Sequence, residues 1–368
     1  MKTLLFSASF LFSFFSYGQN ASWHYLYGST SSTQGNGRFT DIYFIDNNVG
    51  FAIGLNILKT EDGGKTWAAK TNFSSSGYHH LRSIEFSDDG LTGIAGSLSS
   101  MVYRTSDAGE TWQDISLNIT DTTDSIGIRE MCGLAHVGDN FYGVGAYYTY
   151  TARFYKSLDK GVTWTVRAID TSLATQLIDV YFLNADTGFI SGAKANNGIN
   201  EKAVVLKTTD GGATWTSVFS DSIIGGRIWK LQFLSDQIAY GSIEPKFLSD
   251  SVAIIKTQDG GNNWTITGIG RQPSNIVYSG TQGVGFANPM RGWVGGWYSG
   301  MFETTDGGNT WTKLDFGRNI NRFFVLDTND VMACGLGIYR FADTSLHTSI
   351  GKEHNKPSTL SLSPTYPN

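Results

Sequence analysis

The chain has 368 residues, a formal net charge of −5, 44 glycines and only 6 prolines, with aromatic residues at 14% and charged residues at 16%. It has no long basic run, which argues against a nucleic-acid or anionic-membrane partner. High glycine content with many aromatic residues is typical of short β-strands joined by tight turns.

Residues 1–18 are predicted to be a secretory signal peptide. Lys2 precedes an apolar run from Leu4 to Phe15, and Ser16 and Gly18 place small residues at the −3 and −1 positions of a cleavage site. The run is too short for a transmembrane helix, which needs about 20 residues. We therefore expect an exported protein whose mature chain has no membrane span.

One short motif occurs six times in the remaining sequence. Its copies are KTEDGGKTW, RTSDAGETW, KSLDKGVTW, KTTDGGATW, KTQDGGNNW and ETTDGGNTW, ending at Trp67, Trp112, Trp164, Trp215, Trp264 and Trp311. The tryptophans are 45, 52, 51, 49 and 47 residues apart. A period near fifty is typical of β-propeller blades, each a four-stranded antiparallel sheet.

The segment before and after the first motif predicts four strands. Ile42 and Phe44 alternate with polar neighbours, and Gly50–Gly54 follows a turn of polar residues. Ile57–Thr60 is predicted as the third strand and Thr66–Lys70 as the fourth. Similar segments recur along the chain, so the motif is predicted to be the hairpin between strands three and four of each blade.

After the last motif, NRFFVLDTNDVMACGLGIYRF predicts three further strands without a motif. The segment ASWHYLYG near the start of the mature chain carries Trp23 where a motif tryptophan would stand. We predict that this segment supplies the missing strand and closes a seven-bladed ring, which removes exposed sheet edges. Six blades with a separate set of strands is the alternative.

Within each motif, the residue types predict a structural role. The aspartate accepts hydrogen bonds from turn amides and a threonine hydroxyl, the second glycine supplies a positive φ, and the tryptophan packs between blades. The predicted structural residues are Asp62, Gly64, Trp67, Asp107, Gly109, Trp112, Asp159, Gly161, Trp164, Asp210, Gly212, Trp215, Asp259, Gly261, Trp264, Asp306, Gly308 and Trp311.

The sixfold pattern D-x-G-x-[TN]-W resembles the Asp-box, or BNR, repeat of bacterial neuraminidases. This resemblance covers residues 21–345. Proteins with this repeat include sialidases, which are enzymes, and sortilin-type receptors, which bind ligands. The unit with GFA.G and KT.DGG.TW is most similar to the photosystem II assembly and stability factor family. That family implies a seven-bladed propeller that binds or assembles other proteins without catalysis.

The C-terminal segment carries a second resemblance. LSLSPTYPN at 360–368 is similar to the start of a type IX secretion C-terminal sorting domain, which we place at 359–368 after a linker at 346–358. The resemblance implies a Gram-negative bacterium, export through the type IX machinery, and a final location at the cell surface or in the medium. A chance proline-containing tail is the alternative.

The sequence contains no recognisable set of catalytic residues. Five arginines stand at entries to first strands, either converging on the central channel or capping strands in solvent: Arg38, Arg82, Arg129, Arg227 and Arg322. Four carboxylates lie outside the motifs, but no spacing marks a glycosidase pair: Glu85, Glu130, Asp179 and Glu244. No metal or cofactor motif is present. Cys132 and Cys334 are predicted to be buried and unpaired.

Candidate ligand-binding residues are the arginines and aromatic residues expected at the channel mouth, opposite or beside the motif hairpins. They are Arg82, Arg129, Tyr147, Tyr148, Arg153, Arg227, Trp229 and Trp297. Trp293 either stacks on a sugar ring or packs between two blades, and packing is favoured. The sequence thus predicts an exported, non-enzymatic binding or scaffold propeller for a protein or glycan ligand. A secreted sialidase-like or glucanase-like glycoside hydrolase is the alternative. Two or more carboxylates converging at one mouth would favour that enzyme.

Overall fold

The computed structural model describes residues 21–28, 38–71, 73, 80–119, 128, 130–145, 151–195, 202–221, 225–245, 251–271 and 280–343. The predicted signal peptide, linker and sorting segment lie outside these residues. Seven four-stranded antiparallel sheets make up the described structure. Each sheet is one blade, and in six of them the strands follow chain order from the central channel to the rim.

The chain begins with β1 (Ala21–Gly28), which belongs to the last blade. Blade 1 contains β2 (Asp41–Phe44), β3 (Gly50–Ile53), β4 (Ile57–Thr60) and β5 (Ala68–Ala69). Blade 2 contains β6 (Leu81–Phe86), β7 (Gly93–Ser97), β8 (Val102–Thr105) and β9 (Gln113–Asp114). Blade 3 contains β10 (Gly133–Val137), β11 (Asn140–Gly145), β12 (Arg153–Ser157) and β13 (Thr165–Ala168).

Blade 4 contains β14 (Gln176–Phe182), β15 (Gly188–Lys194), β16 (Lys202–Thr208) and β17 (Thr216–Asp221). Blade 5 contains β18 (Gly225–Phe233), β19 (Ala239–Pro245), β20 (Ser251–Thr257) and β21 (Thr265–Arg271). Blade 6 contains β22 (Thr281–Phe286), β23 (Gly292–Gly296), β24 (Ser299–Thr304) and β25 (Thr312–Arg318). Blade 7 contains β26 (Arg322–Asp327), β27 (Asp330–Cys334) and β28 (Gly337–Asp343). One 3-10 helix spans Ser116–Asn118, and no helix among the described residues could cross a bilayer.

The first strand closes the ring. β1 pairs antiparallel with β28, and Trp23 lies opposite Phe341 in that register. Trp23 therefore occupies the place of a motif tryptophan, which lies opposite the end of the third strand of its blade. This confirms the predicted seventh blade, and the six-blade alternative is wrong.

The six motifs form the hairpins between third and fourth strands, and we call them box turns. In the first, Asp62 accepts hydrogen bonds from the Thr66 amide at 2.8 Å, the Thr66 hydroxyl at 2.7 Å and the Thr60 hydroxyl at 2.9 Å. The Thr60 hydroxyl in turn accepts from the Gly64 amide at 2.8 Å. The other five turns repeat these bonds, with asparagine replacing the second threonine in the fifth.

Two successive residues of each box turn are left-handed. The predicted second glycine has a φ of 88° at Gly64 and 74° at Gly261. The residue before it is also left-handed, and in two turns it is not glycine: Ala108 has a φ of 55° and Lys160 of 57°. The second glycine also allows close approach, because a Cβ on Gly261 would lie 2.4 Å from the Phe189 ring of the preceding blade.

The box tryptophans pack where neighbouring blades meet. Trp215 of blade 4 contacts Phe154 of blade 3 with ring centroids 5.2 Å apart. Trp23 makes the equivalent contact at the ring closure, 5.4 Å from Trp293 of blade 6. Only Trp164 and Trp264 are fully buried, and the other four box tryptophans are half-buried, so the expectation of six buried indoles is partly wrong.

In five blades, a basic residue of the third strand binds a carbonyl in the box turn of the next blade. Lys156 Nζ donates to the Gly211 carbonyl at 2.9 Å, and Lys207 Nζ donates to the Gly260 carbonyl at 3.0 Å. Arg104, Lys256 and Arg340 donate to the corresponding carbonyls of Lys160, Gly307 and Gly63. Sequence reasoning missed this interaction, although the basic residue is visible beside the threonine or serine in five of the six motifs.

Blade 6 departs from this pattern because blade 7 has no box turn. Glu303 stands at the basic position and accepts hydrogen bonds from Arg291 at 3.0 Å and from the Trp293 indole at 3.1 Å. Arg291 lies 4.5 Å above the Phe341 ring of blade 7. A cation–π contact thus connects blades 6 and 7 where the carbonyl acceptor of a box turn is missing.

We expect Trp23→Ala to destabilise the protein by about 3 kcal/mol, because it leaves a cavity between the first and last parts of the chain. Urea denaturation followed by tryptophan fluorescence measures this change. Tyr25→Ala, on the same strand but 52% exposed, should cost less than about 1 kcal/mol. Equal losses for the two variants would contradict the closing role of Trp23.

The box glycine can be tested against another left-handed glycine. Gly138 has a φ of 59° and open space around a Cβ, whereas a Cβ on Gly261 would collide with Phe189. Gly138→Ala should therefore cost only about 1 kcal/mol of backbone strain, while Gly261→Ala should cost roughly 2–4 kcal/mol. Thermal and urea unfolding of both variants would show whether the contact between blades adds to the strain.

Candidate functional site

The strand register defines two faces of the propeller. In blade 1, Asp41 lies opposite Ile53, at the far end of the sheet from Thr60 and its box turn. The inner strands therefore begin on one face, which we call the entry face. The box turns lie on the opposite face, the box face. Of the two places that the sequence left open for the mouth, opposite or beside the motifs, the entry face is the one opposite them.

Bulges aim several side chains into the entry mouth. The register shifts between Leu81 and Ser83 and between Ile228 and Lys230, so Arg82 and Trp229 occupy equivalent bulged positions in blades 2 and 5. Gln282 is bulged in the same way in blade 6. Because a bulge redirects the side chain of the extra residue, these blades present polar and aromatic groups at the same depth of the channel.

Five side chains form a continuous strip across the entry mouth. The Arg82 guanidinium lies 4.8 Å from the centre of the Trp229 ring, although the two residues belong to blades 2 and 5. The Trp229 indole donates to Glu244 Oε2 at 2.5 Å. A Cβ on Gly280 would lie 2.7 Å from Glu244 Oε1 and 3.0 Å from Trp297 Cδ1, so these two side chains approach the same point.

The strip ends at Arg38, whose guanidinium lies 4.0 Å from the Trp297 ring centre. Its order is therefore Arg82, Trp229, Glu244, Trp297, Arg38, which we call the mouth strip. Arg38 Nη2 also donates to Asn321 Oδ1 at 3.0 Å and to Gln282 Oε1. These bonds fix the arginine at the junction of blades 6, 7 and 1.

Part of the strip is accessible to a ligand. Arg82 and Trp229 are buried, at 5% and 4% exposure. Trp297, Arg38 and Glu244 are half-buried. Arg227 Nε lies 3.4 Å from Glu244 Oε2 and is also half-buried. A ligand at this mouth would thus meet an indole, two guanidinium groups and one carboxylate.

A charge network lies one step deeper in the channel. Arg322 Nε is 3.3 Å from Asp41 Oδ1, and its Nη1 is 3.8 Å from Asp179 Oδ2. Lys230 Nζ lies 3.4 Å from Asp179 Oδ1, and burial lowers the pKa of Lys230. Both aspartates also accept a backbone amide of the next blade, from Ile84 at 3.2 Å and from Leu231 at 2.8 Å. This network connects opposite sides of the ring.

The predicted candidates divide into three groups. Arg82, Arg227, Trp229 and Trp297 lie together at the entry mouth, whereas Arg153 is buried at the entry-face end of blade 3. Arg129, Tyr147 and Tyr148 lie outside the described residues. The alternative that the entry arginines face solvent is wrong for Arg82.

Sequence reasoning missed Lys230, Gln282 and Asn321, which complete the mouth and the charge network. Lys230 follows the recognised Trp229, Asn321 precedes the recognised Arg322, and Gln282 is the bulged residue of blade 6. Trp293 is fully buried and packs on Trp23 and Phe341, so the packing interpretation of this residue is correct. Cys132 and Cys334 are buried and free, as predicted.

A histidine connects blades 2 and 3 on the box-face side of the channel. His136 Nδ1 lies 2.9 Å from Glu85 and its Nε2 lies 3.0 Å from Asp88. Burial lowers the pKa of His136, but the hydrogen bonds to Asp88 and Glu85 outweigh burial and raise the pKa to about 9. Among the described residues, no group of three or more histidine, cysteine or acidic side chains is placed to hold a metal ion.

Comparison with known proteins supports one of the resemblances seen in the sequence. Residues 19–149 match the family model of the photosynthesis system II assembly factor YCF48. This match covers just over a third of the 368-residue chain. No curated protein matches the chain.

Solved structures extend the likeness to the whole propeller. A YCF48 bound to a D1 peptide is 15% identical, with 88% of this chain and 97% of that chain covered and a TM-score of 0.61. YCF48 from Cyanidioschyzon merolae is 18% identical, with 88% and 99% covered and a TM-score of 0.61. The GH74 xyloglucanase from Xanthomonas campestris is 15% identical, with 87% of this chain and 53% of that chain covered and a TM-score of 0.60. At these identities the likeness establishes the fold.

The His136 contacts predict a pH-dependent stability. A folded pKa of about 9, above the usual 6.5, means that the contribution is complete below pH 6.5 and is lost as the pH rises through 9. We expect the wild type to lose up to about 3 kcal/mol relative to His136→Gln between pH 6 and pH 9.5. Urea denaturation of both proteins across this range measures the difference. Parallel pH profiles would contradict the role of His136.

Proposed function

We propose that this protein is an exported, non-enzymatic propeller that binds a polypeptide segment at its entry mouth. The entry mouth carries the proposal, because it brings together the half-buried Trp297, Arg38 and Arg227 from distant parts of the sequence. Tryptophan and arginine are the residues that most often dominate binding energy at protein interfaces. The resemblance to YCF48, one structure of which holds a D1 peptide, agrees with such a role.

The chemistry of the strip favours an extended segment with acidic side chains. Arg38 stacks its guanidinium on Trp297, and its bonds to Asn321 and Gln282 hold this positive charge beside the half-buried indole, where it attracts an acidic side chain. Arg227 adds a second guanidinium beside Glu244. Glu244 can accept from a peptide N–H or a basic side chain, so a segment of mixed polarity fits better than a purely acidic one.

The buried carboxylates are better suited to holding blades together than to hydrolysis. Asp41 and Asp179 approach the same arginine, so carboxylates and arginines do converge in the channel. Each aspartate, however, accepts a backbone amide from the next blade as well as the arginine contact. A general base or nucleophile needs a carboxylate oxygen that faces the substrate.

Glycoside hydrolysis is the competing function, because the same fold occurs in a xyloglucanase and fold alone does not fix function. The predicted signal peptide and the resemblance of residues 359–368 to a sorting domain support the proposed destination, the surface or surroundings of a Gram-negative bacterium reached through type IX secretion. A glycan ligand could also stack on the half-buried indole of Trp297, and a ligand screen separates it from a peptide.

The experiment is a peptide and glycan array with the purified protein, followed by calorimetry of the best ligand. We expect a peptide ligand, and Trp297→Ala and Arg38→Gln should each weaken its binding at least tenfold, or about 1.4 kcal/mol. Arg167→Gln, an exposed arginine of blade 3, is the matched control and should bind like wild type.

Assays with xyloglucan and a sialylated oligosaccharide test the competing function on the same samples. We expect no release of sugar. Turnover by the wild type that disappears in Glu244→Gln would replace the binding proposal with an enzyme. Peptide binding that is insensitive to both mouth variants would move the binding site elsewhere.

A further inference from the structure

The box face of blades 2 and 3 carries an exposed aliphatic surface. Leu158 and Val162 of the third box turn are 64% and 51% exposed. The corresponding pairs in the other five turns are Glu61 and Lys65, Ser106 and Glu110, Thr209 and Ala213, Gln258 and Asn262, and Thr305 and Asn309. Blade 3 thus places two large aliphatic side chains where the repeat otherwise has polar or small residues.

A third aliphatic residue borders the same surface. Leu91, in the turn after the inner strand of blade 2, is 52% exposed. Its amide donates to Asp89 Oδ1 at 2.8 Å, and Lys160 Nζ donates to Asp89 Oδ2 at 2.8 Å. The Asp89–Lys160 ion pair thus links the turn that carries Leu91 to the box turn that carries Leu158 and Val162, and we call these three residues the aliphatic patch.

Carboxylates outnumber cations around the patch. Lys160 pairs with Asp89 and, at 3.3 Å, with Asp139. The side chains of Asp88 and Asp139 are each 65% exposed. The charged groups that surround the patch are Glu85, Asp88, Asp89, Asp139 and Asp159 against Arg104, His136 and Lys160. The surface is therefore aliphatic with an acidic border.

The backbone of this turn is also strained, as it is at Ala108 in blade 2, but only here does the strained residue carry a long charged side chain. Lys160 has a φ of 57° at a position that is glycine in four turns and alanine in one. A left-handed lysine costs on the order of 1 kcal/mol relative to glycine. The hydrogen bond from Arg104 to the Lys160 carbonyl, at 2.8 Å, holds the turn in place. Such strain is often retained where the side chain has a function.

We propose that the aliphatic patch is a docking surface for a basic amphipathic polypeptide segment of a partner protein. Apolar side chains of the segment cover Leu91, Leu158 and Val162, and its lysines or arginines pair with Asp88 and Asp139. A second copy of this chain, with a net charge of −5, and an anionic lipid surface would both be repelled by the acidic border. The mouth strip lies on the other face, so the two sites are independent.

The probe is a fluorescein-labelled 18-residue peptide with leucines on one helical face and lysines on the other, titrated with full-length protein by anisotropy. A peptide with glutamate in place of lysine should not bind. Leu158→Thr with Val162→Asn restores residues that stand in other box turns and should raise the Kd at least tenfold, with an unchanged near-UV circular dichroism spectrum. Binding should also weaken as salt is raised.

Thr209→Leu with Ala213→Val is the matched control, because it places the same aliphatic pair on the box turn of blade 4. We expect this variant to bind the lysine peptide as wild type does. Equal binding by wild type and the blade 3 variant would overturn the proposal. A wild-type dimer in sedimentation, or pelleting with phosphatidylglycerol vesicles, that is lost in the blade 3 variant would also overturn it in favour of those occupants.

Discussion

Each blade depends on its neighbour because the box turn of one blade is completed by the blade before it. The second glycine of the turn lies against an aromatic or aliphatic side chain of that blade, as Gly261 does against Phe189. In five of the six turns a lysine or arginine of that blade binds the carbonyl of the residue before this glycine. The left-handed backbone is therefore stabilised by contacts between blades as well as by the hydrogen bond from the glycine amide to the threonine or serine of its own turn.

The position between blades 6 and 7 shows how this requirement changes when no box turn is present. Position 303 corresponds to the basic residue of the other motifs, but here no turn carbonyl is available for a lysine to bind. The Glu303 carboxylate instead accepts hydrogen bonds from Arg291 and Trp293. The aromatic rings of Trp293, Trp23 and Phe341 then replace the polar contacts of the other interfaces. The interface between blades 6 and 7 thus depends on aromatic contacts, and its sequence differs because its chemistry differs.

The period of the motif and the alternation of apolar residues were enough to predict seven blades, the closing strand and the role of Asp62, Gly64 and Trp67. These features are local, and each repeats within one blade. The entry mouth could be predicted only as a region, because Arg82 and Trp229 are brought together across the ring by bulges. Bulges leave no clear pattern in a single sequence. The charge network in the channel was also missed, because Asp41, Asp179 and Arg322 come from three blades and meet only in the closed ring.

The site and the ring have a common physical basis. Inner strands meet at the channel, so a charged residue on one strand must find its partner on another blade or remain uncompensated in a poorly hydrated place. Arg322 satisfies this condition for Asp41 and Asp179, while the mouth strip leaves Trp297 and Arg38 accessible. Residues that hold the blades together are thus one layer away from residues that can recognise a ligand.

The pairing of β1 with β28 also determines the order in which the molecule can mature. β1 is synthesised before the other strands and must wait for β28 before it finds its partner. Joining segments about 300 residues apart costs about 5 kcal/mol of chain entropy, and such distant contacts form slowly. The seventh blade, and with it the ring, therefore closes only after nearly all of the propeller has been made, and until then β28 is an uncovered sheet edge.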